Sequence, residues 1–218
     1  MDLSGYSLDT VQNRGEFLLF RGHQRIRASS HPSSVLVLMP RSEPLRPESL
    51  RLLEQEHSLK AQLDPAWAVQ PMALTDDGRR TVLVLEDPGG EPLDQLLETL
   101  MELRLFLLLA VGLSGAVREL HRRRIIHKDI KPANVMFKPN TGEVWLMGFG
   151  IASRLPRERQ ASESPEFIAG TLPYMAPEQT GRMNRSIDSR ADLYAFGVTL
   201  YLPRARIGDH YAATRQDG

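Results

Sequence analysis

Apolar and polar residues follow two patterns along this chain, and each pattern predicts a different kind of secondary structure. Short apolar runs between polar turns predict β-strands at residues 16–20, 34–39, 81–85 and 144–147. Apolar residues spaced three or four apart predict helices at residues 47–63, 92–97, 100–120 and 188–202. The order strand, strand, helix, strand over residues 1–86 is typical of many small α+β modules.

The predicted helix at 100–120 carries the longest periodic stripe. Its apolar positions predict one buried face made of Leu100, Leu103, Leu107, Ala110, Leu113, Val117 and Leu120. Gly112 and Gly115 each cost about 1 kcal/mol relative to alanine inside a helix. We therefore expect packing, rather than intrinsic propensity, to hold this helix. We interpret the stripe as core and not as a cofactor site.

Composition narrows the class of protein. The 218 residues are 41% apolar, which is enough to bury a core in one domain or in two lobes. The net charge is zero, so we expect no nucleic acid as a partner. The apolar run at 105–117 is too short to span a bilayer and no signal peptide is recognisable, so we expect no membrane segment. The lack of cysteine excludes thiolate metal sites and is compatible with a cytoplasmic location, which we expect.

One polar stretch carries candidate chemistry. Residues 127–134 read H-K-D-I-K-P-A-N and lie between the long helix and the strand at 144–147. A carboxylate can orient a hydroxyl nucleophile, an ammonium can neutralise a moving phosphate, and an amide oxygen can hold a metal ion. Asp129, Lys131 and Asn134 therefore form a set that is suited to phosphoryl transfer. The alternative is a polar loop whose charges are only solvated.

The spacing of this stretch resembles the catalytic loop of protein kinases, H-R-D-x-x-x-x-N, with Lys128 in place of the arginine. A lysine two residues after the aspartate is typical of the Ser/Thr branch. Residues 125–134, 150–156 and 179–188 together resemble the kinase-like domain at the N-terminus of large bacterial signalling proteins, where an ATPase module and a sensor histidine kinase follow. The resemblance implies a two-lobed α+β fold with a small β-rich N-lobe and a mainly helical C-lobe.

The resemblance also implies roles for individual residues. Asp129 would orient the substrate hydroxyl, Lys131 would steady the γ-phosphate of ATP, and Asn134 would hold a magnesium ion. Thr171, in the substrate loop, would bridge Asp129 and Lys131. ATP and Mg²⁺ are thus the implied cofactors, with Lys131 and Asn134 as their contacts. Structural roles fall to His127, Phe149, Gly150, Glu178 and Asp192.

Parts of the family's nucleotide site are missing from the first lobe. No glycines approach the G-x-G-x-x-G spacing of the phosphate-covering loop. Leu38 or Met39 stands where the family has a strand lysine, and Arg41 or Arg27 remains open as a substitute. Because the lysine is absent, we expect its usual helix partner, Glu56, to be a plain surface carboxylate.

The metal site is also incomplete in sequence. Residues 148–150 read Gly-Phe-Gly where the family has Asp-Phe-Gly, and that aspartate binds the magnesium ion. Gly148 has no side chain to bind anything, so Asn134 remains as the sole family metal ligand. We therefore expect ATP to bind weakly.

The resemblance divides the chain into three segments. Residues 1–86 would form the N-lobe, with a degenerate nucleotide-binding half, and residues 87–202 a partial C-lobe that lacks the last helices of the family. Residues 203–218 would be a disordered tail. Ser162 and Ser164 lie in the activation segment and are either phosphorylation sites or part of a solvated loop. We expect a protein substrate or a signalling partner, and self-association through exposed C-lobe surface.

Two functions of different classes follow from these features. The first is a Ser/Thr protein-kinase-like domain with weak or no activity, which is either an interaction scaffold or a fragment of a longer signalling protein. The second is an active Ser/Thr protein kinase with compensating residues. Losing one preorganised charge at such a site lowers the rate by about 10²–10³. Because the strand lysine and the magnesium aspartate are both absent, we favour the first interpretation.

Overall fold

The computed structural model describes residues 3–25, 32–42, 45–78, 80–97, 101–154, 170–180 and 186–213, with side chains as far as Tyr201 in the last range. The chain divides into two compact units, Met1–Gly89 and Gly90–Gly218. The division falls inside the Gly-containing connector at 86–90. The expectations for Arg27, Leu100, Ser162 and Ser164 concern residues outside the described ranges.

The first unit is an antiparallel sheet with one helix. Its elements in chain order are β1 (Tyr6–Arg14), β2 (Phe17–Gln24), β3 (Ser34–Pro40), α1 (Pro47–Ser58), β4 (Pro71–Asp76) and β5 (Thr81–Glu86). The strands lie in the order β1-β2-β3-β5-β4, and every neighbour is antiparallel. The sequence analysis missed β1 and β4 because polar residues interrupt β1 and a proline opens β4.

The central strands of this sheet are buried on both faces. Every residue of β3 after Ser34 is buried, and so are residues 82–85 of β5. Met39 belongs to an apolar cluster on one face that also contains Tyr6, Val35, Val37, Val82 and Val84. Because successive strand residues point to opposite faces, Leu38 lies on the other face, where it pairs with Leu83 of β5.

α1 differs from its prediction in length and in its buried face. The helix ends at Ser58 and not at residue 63. The cause is that the Leu59 amide donates to the Glu56 carbonyl, three residues earlier, and that Pro65 follows soon after. Glu56 is only 2% exposed, so the expectation of a surface carboxylate is wrong. It lies three residues after Leu53, which is fully buried, and therefore shares the inner face of the helix.

The second unit is mainly helical and contains short strands. Its elements in chain order are β6 (Glu91–Pro92), α2 (Leu93–Leu96), α3 (Leu103–Arg122), β7 (Ile125–Ile126), β8 (Val135–Lys138), β9 (Glu143–Leu146), β10 (Ser153–Arg154) and α4 (Ser189–Ala213). β6, β8 and β9 form one antiparallel sheet, and β10 pairs with β7 in another. The α+β class predicted from the sequence is confirmed.

α3 is buried along only part of the predicted stripe. Leu113, Val117 and Leu120 are buried as expected. Leu103 and Leu107, however, are 46% and 52% exposed, so the prediction for the first half of the stripe is wrong. The reason lies in the sequence, because almost every residue from 103 to 111 is apolar and periodicity alone cannot tell the buried side from the exposed one.

α4 is longer than predicted. Its backbone stays helical to Ala213, whereas the sequence predicted disorder from residue 203 onward. Arginine and alanine, both strong helix formers, are frequent after Pro203 and favour this continuation. Ala191, Asp192, Ala195 and Thr199 form its buried face. No helix among the described residues combines the length and the apolar content needed to cross a membrane.

Candidate active site

The catalytic loop lies between β7 and β8, and three of its polar side chains meet there. Lys131 Nζ lies 2.7 Å from Asp129 Oδ2. Asn134, which ends a 3-10 turn at Pro132–Asn134, donates from Nδ2 to the Asp129 carbonyl at 2.7 Å and to Asp129 Oδ2 at 2.8 Å. The structure thus brings together all three residues that the spacing had singled out.

Thr171 closes this group from a distant part of the chain. Its hydroxyl donates to Asp129 Oδ1 at 3.0 Å and accepts from Lys131 Nζ at 2.5 Å. Asp129 therefore has one oxygen turned to Thr171 and the other to Lys131 and Asn134. A carboxylate offers about four lone-pair sites, so Oδ1 still has room to accept a hydrogen bond from a substrate hydroxyl.

The buried amide of Asn134 allows a test of the implied metal site. Asn134 is 1% exposed, and its Oδ1 has no hydrogen-bond partner among the residues that the structure describes, while both Nδ2 bonds fix the orientation of the amide. One neutral oxygen is therefore poised as a ligand. The aspartate that completes the family's metal site is replaced by Gly148, which has no side chain, and no group of three acidic or histidine side chains occurs among the described residues. The residues present do not fit a magnesium ion.

His127 is held as a neutral ring in the interior. It is fully buried, with Nε2 3.2 Å from the Met147 carbonyl and Nδ1 accepting from the Asp129 amide at 3.3 Å. Burial lowers its pKa below the ordinary value, although the charges of Asp192 and Asp129 oppose this shift. The ring also packs against Phe149, with centroids 4.7 Å apart. An uncharged ring whose two nitrogens are bonded to backbone holds the loop in shape and is not placed to transfer protons.

Asp192 fastens the catalytic loop to α4. The carboxylate is fully buried and accepts from the His127 amide at 2.9 Å and from the Lys128 amide at 2.8 Å. His121 Nε2 lies 2.9 Å from the same carboxylate. Lys128 adopts a left-handed backbone with φ of 69°, which is uncommon for a side chain of this kind. The two hydrogen bonds from these backbone amides to Asp192 stabilise this unusual turn just before Asp129.

The remaining predicted structural residues lie nearby. Phe149 is fully buried, and Gly150 is half-buried in a turn after it. Gly148 itself adopts φ of 81°. Glu178 is partly buried, and together with Asp188, whose hydrogen bonds are the larger cause, it raises the pKa of Arg190. The positive charge of Arg190 therefore lies within electrostatic reach of Glu178.

In the first unit, other residue types stand at the positions where the family has its nucleotide-binding residues. Leu38 and Met39 are 5% and 8% exposed, and Arg41 is exposed on the surface after β3. The turn from β1 to β2 consists of Gly15 and Glu16, because Arg14 already pairs with Phe17.

Glu16 ties this turn to the start of α1. Its carboxylate accepts from Ser49 at 3.2 Å and from Arg46 at 3.3 Å. A carboxylate therefore stands in the β1–β2 turn, where the family has a glycine-rich loop that covers phosphates.

Comparison with known proteins matches residues 42–205 to the protein kinase domain family. The chain belongs to the protein kinase family. A probable serine/threonine-protein kinase from Streptomyces coelicolor is 36% identical over 121 residues, which cover 55% of this chain and 18% of that protein. The predicted kinase fold, with a β-rich N-lobe and a mainly helical C-lobe, is thereby confirmed.

Two further serine/threonine-protein kinases are similar to part of this chain. Serine/threonine-protein kinase Pkn1 of Myxococcus xanthus is 34% identical over 125 residues, covering 56% of this chain and 18% of the relative. Serine/threonine-protein kinase PknA of Mycobacterium tuberculosis is 31% identical over 130 residues, covering 59% and 29%. The chain thus matches less than a third of the length of these relatives, and the Ser/Thr kinase class is shared by all three.

Two polar side chains near the catalytic loop were not predicted from the sequence. His121 Nε2 lies 2.9 Å from the Asp192 carboxylate, which binds the loop backbone, and Gln179 donates to the carbonyl of Lys128 at 2.8 Å. His121 could have been suspected from its place at the end of the helix that leads into the loop. Gln179 gives no such signal, because it is 51 residues away in sequence and follows a motif known for its glutamate.

Proposed function

We propose that this chain is a Ser/Thr-kinase-like domain that binds nucleotide weakly and without dependence on magnesium, and that it serves mainly as an interaction module. The main observation in support of this proposal is the incomplete metal site. Asn134 offers a single buried oxygen, and Gly148, in the place of the magnesium-binding aspartate, offers none. Phosphoryl transfer depends on neutralising phosphate charge, so such a site is poorly equipped for it.

The first unit supports the same proposal. The strand that carries the family lysine has only apolar side chains at 35–39. Glu16 adds a negative charge at the β1–β2 turn, where a bound phosphate would need hydrogen-bond donors. Both features weaken the attraction for a triphosphate. Each missing preorganised charge lowers the rate of transfer by about 10²–10³.

A second candidate function is that of an active Ser/Thr protein kinase acting on protein hydroxyls. It is favoured by the intact group of Asp129, Lys131 and Thr171. In that case Asp129 Oδ1 accepts the hydrogen bond of the substrate hydroxyl, and Lys131, held 2.7 Å from Oδ2, neutralises negative charge beside it. We infer the signalling role, the cytoplasmic location and the likeness to the N-terminal domain of larger bacterial signalling proteins from the sequence resemblance.

Titration of ATP into the protein, followed by calorimetry with and without magnesium, tests the proposal. We expect weak binding that changes little when magnesium is added or removed by a chelator. Micromolar binding that requires magnesium would contradict the proposal. A parallel phosphotransfer assay separates the two candidates, because activity that disappears in Asp129→Asn identifies an active kinase.

A further inference from the structure

The side chain of Gln179 bridges two segments through both ends of its amide. Nε2 donates to the Lys128 carbonyl at 2.8 Å, and Oε1 accepts from the Ala176 amide at 3.0 Å. These two bonds fix the orientation of the amide, because only the nitrogen can donate and only the oxygen can accept. Gln179 thus joins the end of the 170–179 loop to the catalytic loop.

The residue that Gln179 holds is conformationally unusual. Lys128 is in the left-handed region, with φ of 69°. Its amide donates to Asp192 Oδ1 at 2.8 Å, while its carbonyl accepts from Gln179. The backbone amide and the backbone carbonyl of Lys128 are therefore both hydrogen-bonded to side chains from outside the catalytic loop. The peptide bond that begins at the Lys128 carbonyl leads directly into Asp129.

The beginning of the same loop also approaches this carbonyl. A Cβ added at Gly170 would lie 3.4 Å from the Lys128 oxygen and 2.6 Å from Met175 Cε, and Gly170 has φ of +125°. Only glycine adopts such a φ without strain. The residue after it is Thr171, which contacts Asp129 and Lys131. Both ends of the 170–179 loop therefore meet at Lys128.

We propose that Gln179 is a positioning residue that acts through Lys128. By holding the left-handed turn, it fixes the backbone of Asp129 and keeps the 170–179 loop, with Thr171, against the catalytic carboxylate. The inference rests on the proposed kinase-type site, because it concerns how that site is kept assembled. It adds a link between the end of the activation segment and the catalytic loop, so that displacement of one disturbs the other.

Hydrogen exchange of single backbone amides, measured by NMR on the full chain, tests this link in two variants. Gln179→Met removes both bonds at nearly equal size. Gln179→Glu keeps an acceptor for the Ala176 amide but cannot donate to Lys128. We expect the Asp129 amide to exchange about fivefold faster in both variants, as suits the loss of one hydrogen bond. The Ala176 amide should exchange faster only in Gln179→Met.

Thr180→Ala is the matched control. It removes a neighbouring exposed bond, from Thr180 Oγ1 to the Pro177 carbonyl, and should leave the Asp129 amide unchanged. If activity is present, the two Gln179 variants should lower kcat and leave the KM for ATP nearly unchanged. Unchanged exchange at Asp129 in both variants would overturn the inference, whatever the activity. Micromolar ATP binding that requires magnesium, with these exchange rates as expected, would instead count against the proposed function alone.

Discussion

At the scale of single residues, the catalytic loop is assembled by its own side chains. Lys131, Asn134 and Thr171 are each within hydrogen-bond distance of Asp129, and Asp192 accepts hydrogen bonds from the backbone just before it. The side chains that would orient a hydroxyl are therefore already assembled, whereas apolar residues and Gly148 stand where the family has its strand lysine and magnesium aspartate.

Restoring the two missing charges tests whether their absence limits phosphotransfer. Gly148→Asp restores a carboxylate at a position where φ is 81°, and aspartate tolerates the left-handed region better than most residues. Leu38→Lys restores the strand cation. Because each charge is worth about 10²–10³ in rate, we expect the double variant to raise phosphotransfer at least about 10²-fold. Radiolabel transfer to a generic protein substrate measures the gain.

Three controls accompany the double variant. Gly148→Asn has nearly the same shape but no charge and should give little gain. Met39→Lys places the cation in the apolar cluster on the other face of the sheet and should destabilise the first unit instead. Adding Asp129→Asn should abolish whatever activity was gained. Activity that survives this last change would show that the catalytic carboxylate has been misassigned.

His127 predicts a dependence of stability on pH. Burial lowers its pKa in the folded protein, so over the window from its ordinary pKa of about 6.5 downward the unfolded chain binds a proton that the folded protein does not. Stability therefore falls as the pH is lowered through this window. The loss is at most about 1.4 kcal/mol per pH unit, because one proton is involved. Urea unfolding at several pH values measures it.

His127→Gln should flatten this part of the pH profile, because the titrating ring is gone. His23, which is exposed on β2, provides the control: His23→Gln should leave the profile as it is. A profile with the same slope in His127→Gln as in the parent protein would assign the pH dependence to other groups.

The proximity of four polar side chains could be predicted from the sequence, because chemistry constrains their type and spacing, whereas their roles stay predictions. These residues are Asp129, Lys131, Asn134 and Thr171. Glu56 was misjudged, because its burial depends on how α1 packs and not on whether a lysine partner exists. Gln179 was not foreseen, because its contact with Lys128 depends on the path of a loop between them.

At the scale of elements, α3 illustrates how two identical residues can have opposite effects. A Cβ at Gly112 would lie 2.6 Å from Val144 Cγ2 and 3.1 Å from the Gly142 carbonyl, so the helix and β9 touch there. Gly115 has no atom within 4 Å of a Cβ. The first glycine is required for close packing, and the second only weakens the helix.

We therefore expect opposite changes from the same substitution. Gly112→Ala should lower the free energy of unfolding by about 1–3 kcal/mol, because it overpacks the contact with Val144. Gly115→Ala should raise it by about 0.5–1 kcal/mol, because it favours the helix and restricts the unfolded chain. Denaturant unfolding of both variants measures the two changes. Equal effects would show that α3 does not approach β9 as described.

Elements with a strong pattern were predicted well, and those without one were not. β3 and β5 could be found because central strands are continuous apolar runs. β1 reads YSLDTVQNR, in which polar residues occupy most positions, and its pairing with β2 decides its structure. The end of α4 was also misplaced, because the backbone remains helical past Pro203 although the apolar periodicity ends there.

At the scale of the whole molecule, the second unit exposes apolar side chains. On α3, Leu103, Leu107 and Val111 recur every four residues and are 46%, 52% and 73% exposed. Leu172, Leu193, Tyr194 and Tyr201 are also exposed among the described residues of this unit. Each buried large apolar side chain contributes roughly 1.5–3 kcal/mol, so covering these would bring a substantial gain. Self-association is therefore the expected behaviour of the purified chain.

Sedimentation velocity and binding of a hydrophobic dye test this expectation. We expect concentration-dependent assembly and dye binding in the parent protein. Leu107→Gln combined with Val111→Gln should reduce both and leave the melting temperature nearly unchanged, because these side chains are already exposed. Leu109 lies between these two residues in the sequence but is fully buried, so Leu109→Gln should instead unfold the unit. A monodisperse monomer without dye binding would contradict the prediction.

The left-handed turn at Lys128 has a consequence for proteolysis. Four cleavage sites for trypsin lie within residues 122–131, after Arg122, Arg123, Arg124 and Lys128, because the bond after Lys131 is blocked by Pro132. A protease needs an extended, freely mobile backbone, whereas the Lys128 amide and carbonyl are bound by Asp192 and Gln179. A cut after Lys128 therefore requires this part of the unit to open. The rate of that cut, followed by mass spectrometry, reports the opening equilibrium of the catalytic loop without any need for nucleotide, substrate or activity.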